Sequence, residues 1–285
     1  MRILVTGGAG FIGSHLVRQL LQDRQNSVVN LDALRYSGNL DNLTEVAAGH
    51  PGYSFVHGDV CDGEIVAKVL KDHAIEVVIN CAAETHVDRS ILDPTGFART
   101  DVIGTGVLLE ESRKAGVIRY LQVSTDEVYG SVVTGHSRED DPLAPRSPYS
   151  ASKAGGDLLA LSYWTTFQFP VMITRGSNTY GPNQYPEKFI PLFITNALEE
   201  KPLPLYGDGR YRRDWLSVFD HCAAIEHVLL HGQPGRVYNI GGGNERENLA
   251  VAELILKHLG KPMSLIRHVQ DRPGHDRRYA VDCSR

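Results

Sequence analysis

The residues of this chain best suited to chemistry fall in two short stretches. The first, Ser124-Thr125-Asp126-Glu127-Val128-Tyr129-Gly130, follows an apolar, β-prone run from Ile118 to Val123 and precedes a turn-rich loop. That predicts a hydroxyl and two adjacent carboxyls at the carboxyl end of a strand, where ligands bind in open α/β sheets. Thr125 is a candidate orienting donor. Asp126 and Glu127 are a candidate acid and base if their surroundings separate their pKa values. The second stretch, Pro148-Tyr149-Ser150-Ala151-Ser152-Lys153, opens an apolar helical run that continues to Phe167. Tyr149 and Lys153 stand at i and i+4, on one helical face. An ammonium beside a phenol favours phenolate and is expected to lower the Tyr149 pKa from about 10. Such a couple can take a proton from an alcohol that is losing hydride. Singly, an acidic pair is more often a solvated turn, and Y-x-x-x-K recurs by chance.

The N-terminus supplies the context these stretches need. Met1 to Thr6 reads as a buried strand, Gly7-Gly8-Ala9-Gly10-Phe11-Ile12-Gly13 as a tight turn, and Ser14 to Gln22 as a helix. Gly8, Gly10 and Gly13 satisfy G-x-G-x-x-G; Gly7, Gly10 and Gly13 give the related G-x-x-G-x-x-G. Glycines so spaced let backbone approach a pyrophosphate and aim a helix N-terminus at its charge. Asp32, after a second strand from Ser27 to Leu31, is placed to accept from ribose hydroxyls and to repel a 2′-phosphate. NAD is therefore expected rather than NADP, with Arg35 as the nearby counter-indication. Asp59, beyond the strand Tyr53 to His57, could accept from the adenine amino group. Ala82 and Ala83, beyond the strand Ala74 to Cys81, are small enough to lie against a cofactor. His86 reads as an ordinary loop residue.

The bulk properties narrow the class. The chain has 285 residues, 42% hydrophobic and 22% charged, ordinary globular values. A formal net charge of -5 lends no support to nucleic-acid or anionic-membrane binding. Cys61, Cys81, Cys222 and Cys283 show no metal-ligand or disulfide spacing, so reduced thiols and a cytoplasmic location are expected. No apolar run approaches the roughly 20 residues that span a bilayer.

Repeated strand-helix units predict an α/β chain with a doubly wound parallel sheet of the Rossmann type over 1–175. They include a long helical pattern from Ile91 to Ala115 and a sixth strand at Val171 to Thr174. From Gly181 onward, proline and glycine break the alternation. A smaller, interwoven lobe over 176–285 is expected, with some segments returning to the first domain. It should hold helices at Ile190 to Leu198, Asp220 to Leu230 and Leu249 to Leu259, and a strand at Arg236 to Ile240. Lys188, Arg213, Arg272 and Arg277 in its loops suit a diphosphate, although each singly reads as a surface charge.

These pieces together resemble the dTDP-glucose 4,6-dehydratases of the extended short-chain dehydrogenase/reductase group, nearly end to end. The carriers are Thr6 to Gly13, Tyr36 to Leu43, Ala82 to Ser90, Ser124 to Gly130, Pro148 to Lys153, Ser177 to Pro182, Pro186 to Lys188, Arg213 to Trp215 and Asp271 to Asp276. The Thr-Asp-Glu triplet is the mark of these dehydratases; related epimerases keep Ser or Thr but lack both acids. The resemblance implies NAD, dTDP-glucose and a homodimer paired through the helices near 91–115 and 149–167. It implies cofactor contacts at Gly7, Gly10, Phe11, Ile12, Gly13, Asp32, Ala33, Leu34, Arg35, Asp59, Val60, Cys81, Ala82, Ala83, Thr85, Thr100, Tyr149, Lys153 and Thr179. Substrate contacts would fall at Thr85, Thr125, Asn178, Lys188, Phe189, Leu205, Tyr206, Arg213, Asn248, Asp271, Arg272, Pro273, Gly274 and His275. Asp101, Thr179 and Phe219 depart from the usual pattern, and the chain ends at Arg285 where such relatives usually run on through another helical stretch.

The residues support a dehydration by transient C4 oxidation. Tyr149 takes the C4 hydroxyl proton while hydride passes to NAD and Thr125 holds the C4 oxygen. Glu127 takes the C5 proton, protonated Asp126 serves the leaving C6 hydroxyl, and hydride returns to C6 as C5 is reprotonated. A C4 epimerase or decarboxylase on a UDP-sugar would need only Thr125, Tyr149, Lys153 and NAD, leaving both acids idle. A non-catalytic NAD sensor would need none of these side chains. No metal is expected.

Overall fold

In the computed structural model, which describes residues Met1 to Arg285, the apolar runs become the strands of one central sheet. The elements run β1 (Arg2–Thr6), α1 (Phe11–Leu20), β2 (Ser27–Asp32), α2 (Thr44–Ala47), β3 (Tyr53–His57), α3 (Gly63–Asp72) and β4 (Val77–Asn80). Next come α4 (Val87–Leu92), α5 (Pro94–Ala98), α6 (Thr105–Lys114), β5 (Arg119–Thr125), α7 (Pro148–Phe167), β6 (Val171–Gly176) and β7 (Asn178–Tyr180). The chain closes with α8 (Phe189–Leu198), β8 (Leu203–Tyr206), β9 (Arg212–Ser217), α9 (Val218–His231), β10 (Val237–Ile240), β11 (Glu245–Glu247), α10 (Asn248–Leu259) and β12 (Ile266–Val269).

Seven strands form the main sheet in the order β10-β6-β5-β4-β1-β2-β3, every pair parallel. Its inner strands are apolar on both faces because helices cover both. Ile3, Val5, Val77 and Ile79 pack toward Leu16, Val17 and Ile225 on the α1 and α9 side. Leu4, Val78, Tyr120 and Ile173 pack toward Val66, Leu108 and Ala160 on the α3, α6 and α7 side. The strand order reverses beside β1, which puts the ligand crevice outside the carboxyl ends of β1 and its neighbours. No helix is long and apolar enough to cross a membrane.

Three expectations need correction. The run from Ile91 to Ala115 is not one helix. Asp93 leaves α4 and caps α5 through the Gly96 amide at 3.0 Å, and Pro94, lacking an N–H, stands in the first turn. Arg99–Gly104 then winds as a π-helical stretch before α6. The helix expected at Asp220 to Leu230 forms as α9 but packs on the main sheet beside α1, not in the small lobe. The strand expected at Arg236 to Ile240 also forms, but in the main sheet beside β6. There it covers the sheet edge, with Val237 and Ile240 buried. The small lobe is built from a β11-β9-β7 sheet, a β12-β8 pair, and α8 and α10 closed over Phe193, Leu203, Leu205 and Leu256.

A buried ion pair joins these parts. Arg175 Nε donates to Asp157 Oδ2 at 2.9 Å with both side chains at or below 2% exposure. Arg175 Nη1 also donates to the Tyr129 hydroxyl, which donates to Asn239 Oδ1, both at 2.8 Å. The network links β6, α7, the loop after β5, and β10. Burial raises the Asp157 pKa even with Arg175 in place, so desolvation outweighs the pairing. Removing one partner is worse still. Arg175→Met should cost about 3–5 kcal/mol, read as a lower urea midpoint, and Arg175→Met with Asp157→Leu should recover much of it. Equal losses in the single and double variants would show that the pair is not the source.

Candidate active site

One cleft runs along the carboxyl ends of β1, β2, β4, β5 and β6. Its first half is backbone. Gly7, at φ +68°, sits so close to β4 that a Cβ there would lie 2.8 Å from the Ala82 nitrogen. At Gly13 a Cβ would lie 2.2 Å from the Gly7 carbonyl oxygen. α1 begins at Gly10 with no side-chain cap, so its first amides keep their donors for an anion. Gly13→Ala should therefore weaken dinucleotide binding about 10- to 100-fold, matching an overpacking cost of about 1–3 kcal/mol. Calorimetric titration checks this; parental affinity would mean the turn absorbs the methyl.

Asp32, at the end of β2, is 8% exposed. Its Oδ2 accepts from the Ala9 amide at 2.9 Å and its Oδ1 from the Leu34 amide at 2.8 Å. Burial pushes its pKa up and these amides pull it down. Both oxygens retain lone-pair capacity for a diol. Arg35 is not free: it pairs with Asp59 at 2.9 Å and Glu84 at 2.7 Å. A guanidinium committed to two carboxylates does not offer itself to a 2′-phosphate. Asp59 is committed in turn, its other oxygen accepting from the Cys61 amide at 2.9 Å, so its expected link to adenine would compete with Arg35. The cleft wall includes every residue expected to touch cofactor except Leu34 and Lys153.

The second half is acidic. β5 ends at Thr125, whose side chain caps a 3₁₀ turn over Asp126–Tyr129 by accepting from the Glu127 amide at 3.3 Å. Asp126 is 2% exposed; its Oδ1 faces the Thr125 hydroxyl at 3.3 Å, and its Oδ2 has no partner. Burial, and next the charge of Glu127, push Asp126 up to about 8, against the pull of Arg213. Burial raises Glu127 too, but Arg272, Arg213 and Lys188 draw it down, and its Oε2 lies 3.3 Å from the Tyr279 hydroxyl, which it shares with Asp276 Oδ2 at 2.8 Å. With one proton between the two carboxyls, the cations favour placing it on Asp126.

Tyr149 enters from the start of α7, which Pro148 and a Ser147–Ser150 capping box fix against the cleft. Its phenol faces Thr125 and the acidic pair, and Phe97 packs edge-on at 6.3 Å. The expected lowering of its pKa is not found. Burial, then the charges of Glu127, Asp101 and Asp126, hold the phenol well above its usual range. Lys153 lies on the same helical face but points behind the cleft wall, where its Nζ donates to the Val123 carbonyl at 2.9 Å. Helical spacing brought the two residues together; the β5 backbone redirected the ammonium.

The residues expected at the substrate separate into two groups. Thr85, Thr125, Asn178 and Lys188 line the cleft, with Lys188 Nζ donating to the Thr85 carbonyl and lowered to about 8 by burial. The others belong to the small lobe, outside that wall. Phe189 packs on Phe193 at 4.1 Å and Trp215 at 5.8 Å, and Leu205 is core. Tyr206 donates to Asp88 at 3.0 Å, and Asn248 opens α10 with its Oδ1 buried and unpartnered. Asp271 accepts from Tyr211 and pairs with His275 at 2.7 Å, and His275 stacks on Tyr211 at 3.8 Å. Pro273 and Gly274 carry the chain past the Arg146 carbonyl, where a Cβ at Gly274 would stand 2.7 Å away. Arg272 faces Asp88 at 3.6 Å with its Nε unpartnered. Arg213 lies over the Tyr279 ring at 4.3 Å and donates to the Asp276 carbonyl at 2.9 Å. Arg277 instead pairs with Asp208 at the surface. His86 caps α4 through its Nδ1, an architectural use.

Two contributors are absent from the sequence reading. His221 lies on the cleft wall, its Nδ1 2.8 Å from the Thr179 hydroxyl and its Nε2 buried without a partner. Tyr279 reaches Glu127 from the end of the chain. Neither stands in a recognisable spacing, because only the packing of α9 and of the C-terminal segment brings them near.

A Rossmann sheet with a dinucleotide turn, a Tyr-x-x-x-Lys helix and an acidic pair defines an NAD-type oxidoreductase scaffold of the extended short-chain dehydrogenase/reductase class. The chain belongs to the family described as GDP-mannose 4,6 dehydratase, whose model matches residues 4–285. It is 51% identical over 290 residues to the dTDP-glucose 4,6-dehydratase of Streptomyces niveus, covering 100% of this chain and 85% of that relative. It is similar to the solved structure of DesIV, a dTDP-glucose 4,6-dehydratase from Streptomyces venezuelae with NAD and TDP bound. There the TM-score is 0.97 and the identity 50%, over 99% of this chain and 88% of that one. A UDP-glucuronic acid 4-epimerase from Bacillus cereus, solved with UDP-glucuronic acid and NAD, shares the fold at TM-score 0.94 but only 30% identity, over 100% and 91% of the two chains.

Proposed function

We propose that this chain is a dTDP-glucose 4,6-dehydratase, converting dTDP-glucose to the 4-keto-6-deoxy sugar with NAD. The observation that carries it is the buried, partly unpartnered Asp126 beside Glu127 on the wall shared with Thr125 and Tyr149. An epimerase has no use for a carboxylic acid kept protonated near neutral pH. Support for the nucleotide comes from the relatives: the Streptomyces niveus protein and DesIV are named for dTDP-glucose.

Gly7, Gly10, Gly13 and Asp32 would hold the dinucleotide, with Thr179 toward its far end. When bound, NAD supplies reversible hydride chemistry at the sugar. Tyr149 accepts the C4 hydroxyl proton while Thr125 hydrogen-bonds the C4 oxygen. Lys153 contributes positive charge from behind the wall. The C5 hydrogen, now α to a carbonyl, passes as a proton to Glu127. Asp126 donates its proton to the C6 hydroxyl, which leaves as water, and Glu127 returns its proton to C5 as C6 takes up the hydride removed from C4, giving the 4-keto-6-deoxy sugar. Lys188, Arg213 and Arg272 suit the diphosphate, and Asn178, Asn248 and the Asp271–His275 segment the rest of the nucleotide.

Incubation with dTDP-glucose and, separately, UDP-glucose tests this. The expected result is the base-induced absorbance of a 4-keto-6-deoxy sugar with dTDP-glucose; a C4 epimer as sole product would refute the proposal. A homodimer through the segment from α4 to α6 and α7 is part of the same proposal, supported by the exposure of Leu92 on α4, Ile103 in the π-helical stretch and Leu158 on α7. A monomer in analytical ultracentrifugation would refute that part. Four unpaired cysteines support a reducing, cytoplasmic setting.

A further inference from the structure

Beneath the turn that carries Tyr149 lies a carboxyl with no part in the chemistry above. Asp101 belongs to the π-helical stretch Arg99–Gly104 and is 2% exposed. α7 packs against that stretch unusually closely. A Cβ on Gly155 would lie 2.9 Å from Val102, and one on Gly156 would lie 2.7 Å from the Asp101 carbonyl oxygen. The approach holds Asp101 Oδ2 against the Ser152 hydroxyl at 2.6 Å; that hydroxyl also lies 2.8 Å from the Tyr149 carbonyl. Asp101 Oδ1 is buried without a partner.

We propose that Asp101 is a positioning residue for the first chemical step: held by Ser152 under the Tyr149 turn, its charge sets how readily Tyr149 gives up its proton. The proposal rests on Tyr149 being the proton acceptor. An anion at position 101 opposes phenolate directly and draws on the field of Lys153, the cation meant to favour it. The groups facing Asp101 are few. From α7 come Lys153 and Ser152, and from the segment after β4 comes Glu84, whose amide favours the carboxylate while its side chain opposes it. α5 carries no ionisable residue, and the ionisable residues of α6 sit in its far half, at Glu110 to Lys114. Burial pushes Asp101 up to about 6, with Lys153 and then Ser152 pulling it down. Its charge therefore changes as the medium moves from mildly acidic to neutral.

Asp101→Asn preserves shape and the acceptor for Ser152 while removing the charge. In the cofactor-loaded enzyme, tyrosinate absorbance, taken as the parent minus its Tyr149→Phe variant, follows Tyr149 without turnover. Asp101→Asn should move that titration to lower pH by about one unit. The single-turnover profile of cofactor reduction by dTDP-glucose should move by the same amount. Asp101→Ser, which removes the same charge with a smaller polar side chain, should shift the titration the same way. It serves as the test if Asp101→Asn does not fold. Superimposable titrations for a folded variant and the parent overturn the proposal, as does a change confined to thermal stability. If dTDP-glucose reduces no cofactor in the parent, the functional reading fails, while the tyrosinate titration still decides the role of Asp101.

Discussion

Asp126→Asn should accumulate reduced cofactor. With dTDP-glucose, hydride transfer from C4 proceeds near the parental rate, because Tyr149 and Thr125 are untouched. Release of water from C6 then slows by about 10²–10⁴-fold, the range of a lost general acid. Stopped-flow absorbance would show a fast rise of reduced nicotinamide that persists, in place of the parent's transient. Product at the parental rate would remove Asp126 from the elimination. The pH dependence carries a sign. Asp126 is pushed up to about 8, chiefly by burial, so it is protonated at neutral pH and elimination should fail as pH rises past that value. The same shift has a cost in stability. A carboxyl whose folded pKa is raised binds its proton more tightly folded than unfolded. Its contribution is fully present below the unfolded value near 4 and is lost progressively as pH rises toward about 8. The Asn variant lacks this loss, so it should be more stable than the parent in mildly alkaline buffer while being the poorer enzyme. A parent no less stable than the variant at that pH would show that Asp126 is already ionised at neutrality.

Tyr149→Phe should fail one step earlier. The variant keeps the ring that packs on Phe97 and should retain dinucleotide. Reduction of cofactor by dTDP-glucose should fall by about 10²–10⁴-fold, with no intermediate accumulating. The surrounding side chains raise the phenol through burial and the charges of Glu127, Asp101 and Asp126. Deprotonation is therefore the demanding event, and the parent's first step should quicken with rising pH across the neutral range. The Phe variant should lose that slope. A variant that reduced cofactor at the parental rate would transfer the proton-accepting role elsewhere, and Glu127 would be the first residue to examine.

Together the two variants predict a bell-shaped parental profile. The acidic limb belongs to Tyr149 and the alkaline limb to Asp126. Each limb is removable by one substitution.

How much of this was legible in the sequence follows from which interactions are local. The glycine turn, Asp32 at the end of β2, and the acidic pair at the end of β5 are short-range features, and the chain alone located them. Periodicity likewise placed the strands of the parallel sheet, because burial on both faces demands continuous apolar runs. Tyr149 and Lys153 were correctly put on one helical face. What spacing could not tell was the direction of the ammonium, because the Val123 carbonyl that captures it comes from another strand. The break between α4 and α6 was written in Asp93-Pro94, but the π-helical winding that follows, against which Gly155 and Gly156 let α7 pack closely, has no local sequence signal. Arg35 read as a possible phosphate ligand until Asp59 and Glu84, from two other loops, were seen to neutralise it.

By itself the sequence determined the groups that are available: a dinucleotide turn, an acidic pair and a phenol, each specified by neighbours within a few residues. The tertiary structure alone decided the protonation states and the company those groups keep. Burial and the fields of Arg213, Arg272 and Lys188 depend on segments far apart in the chain, and desolvation has no signature in local order.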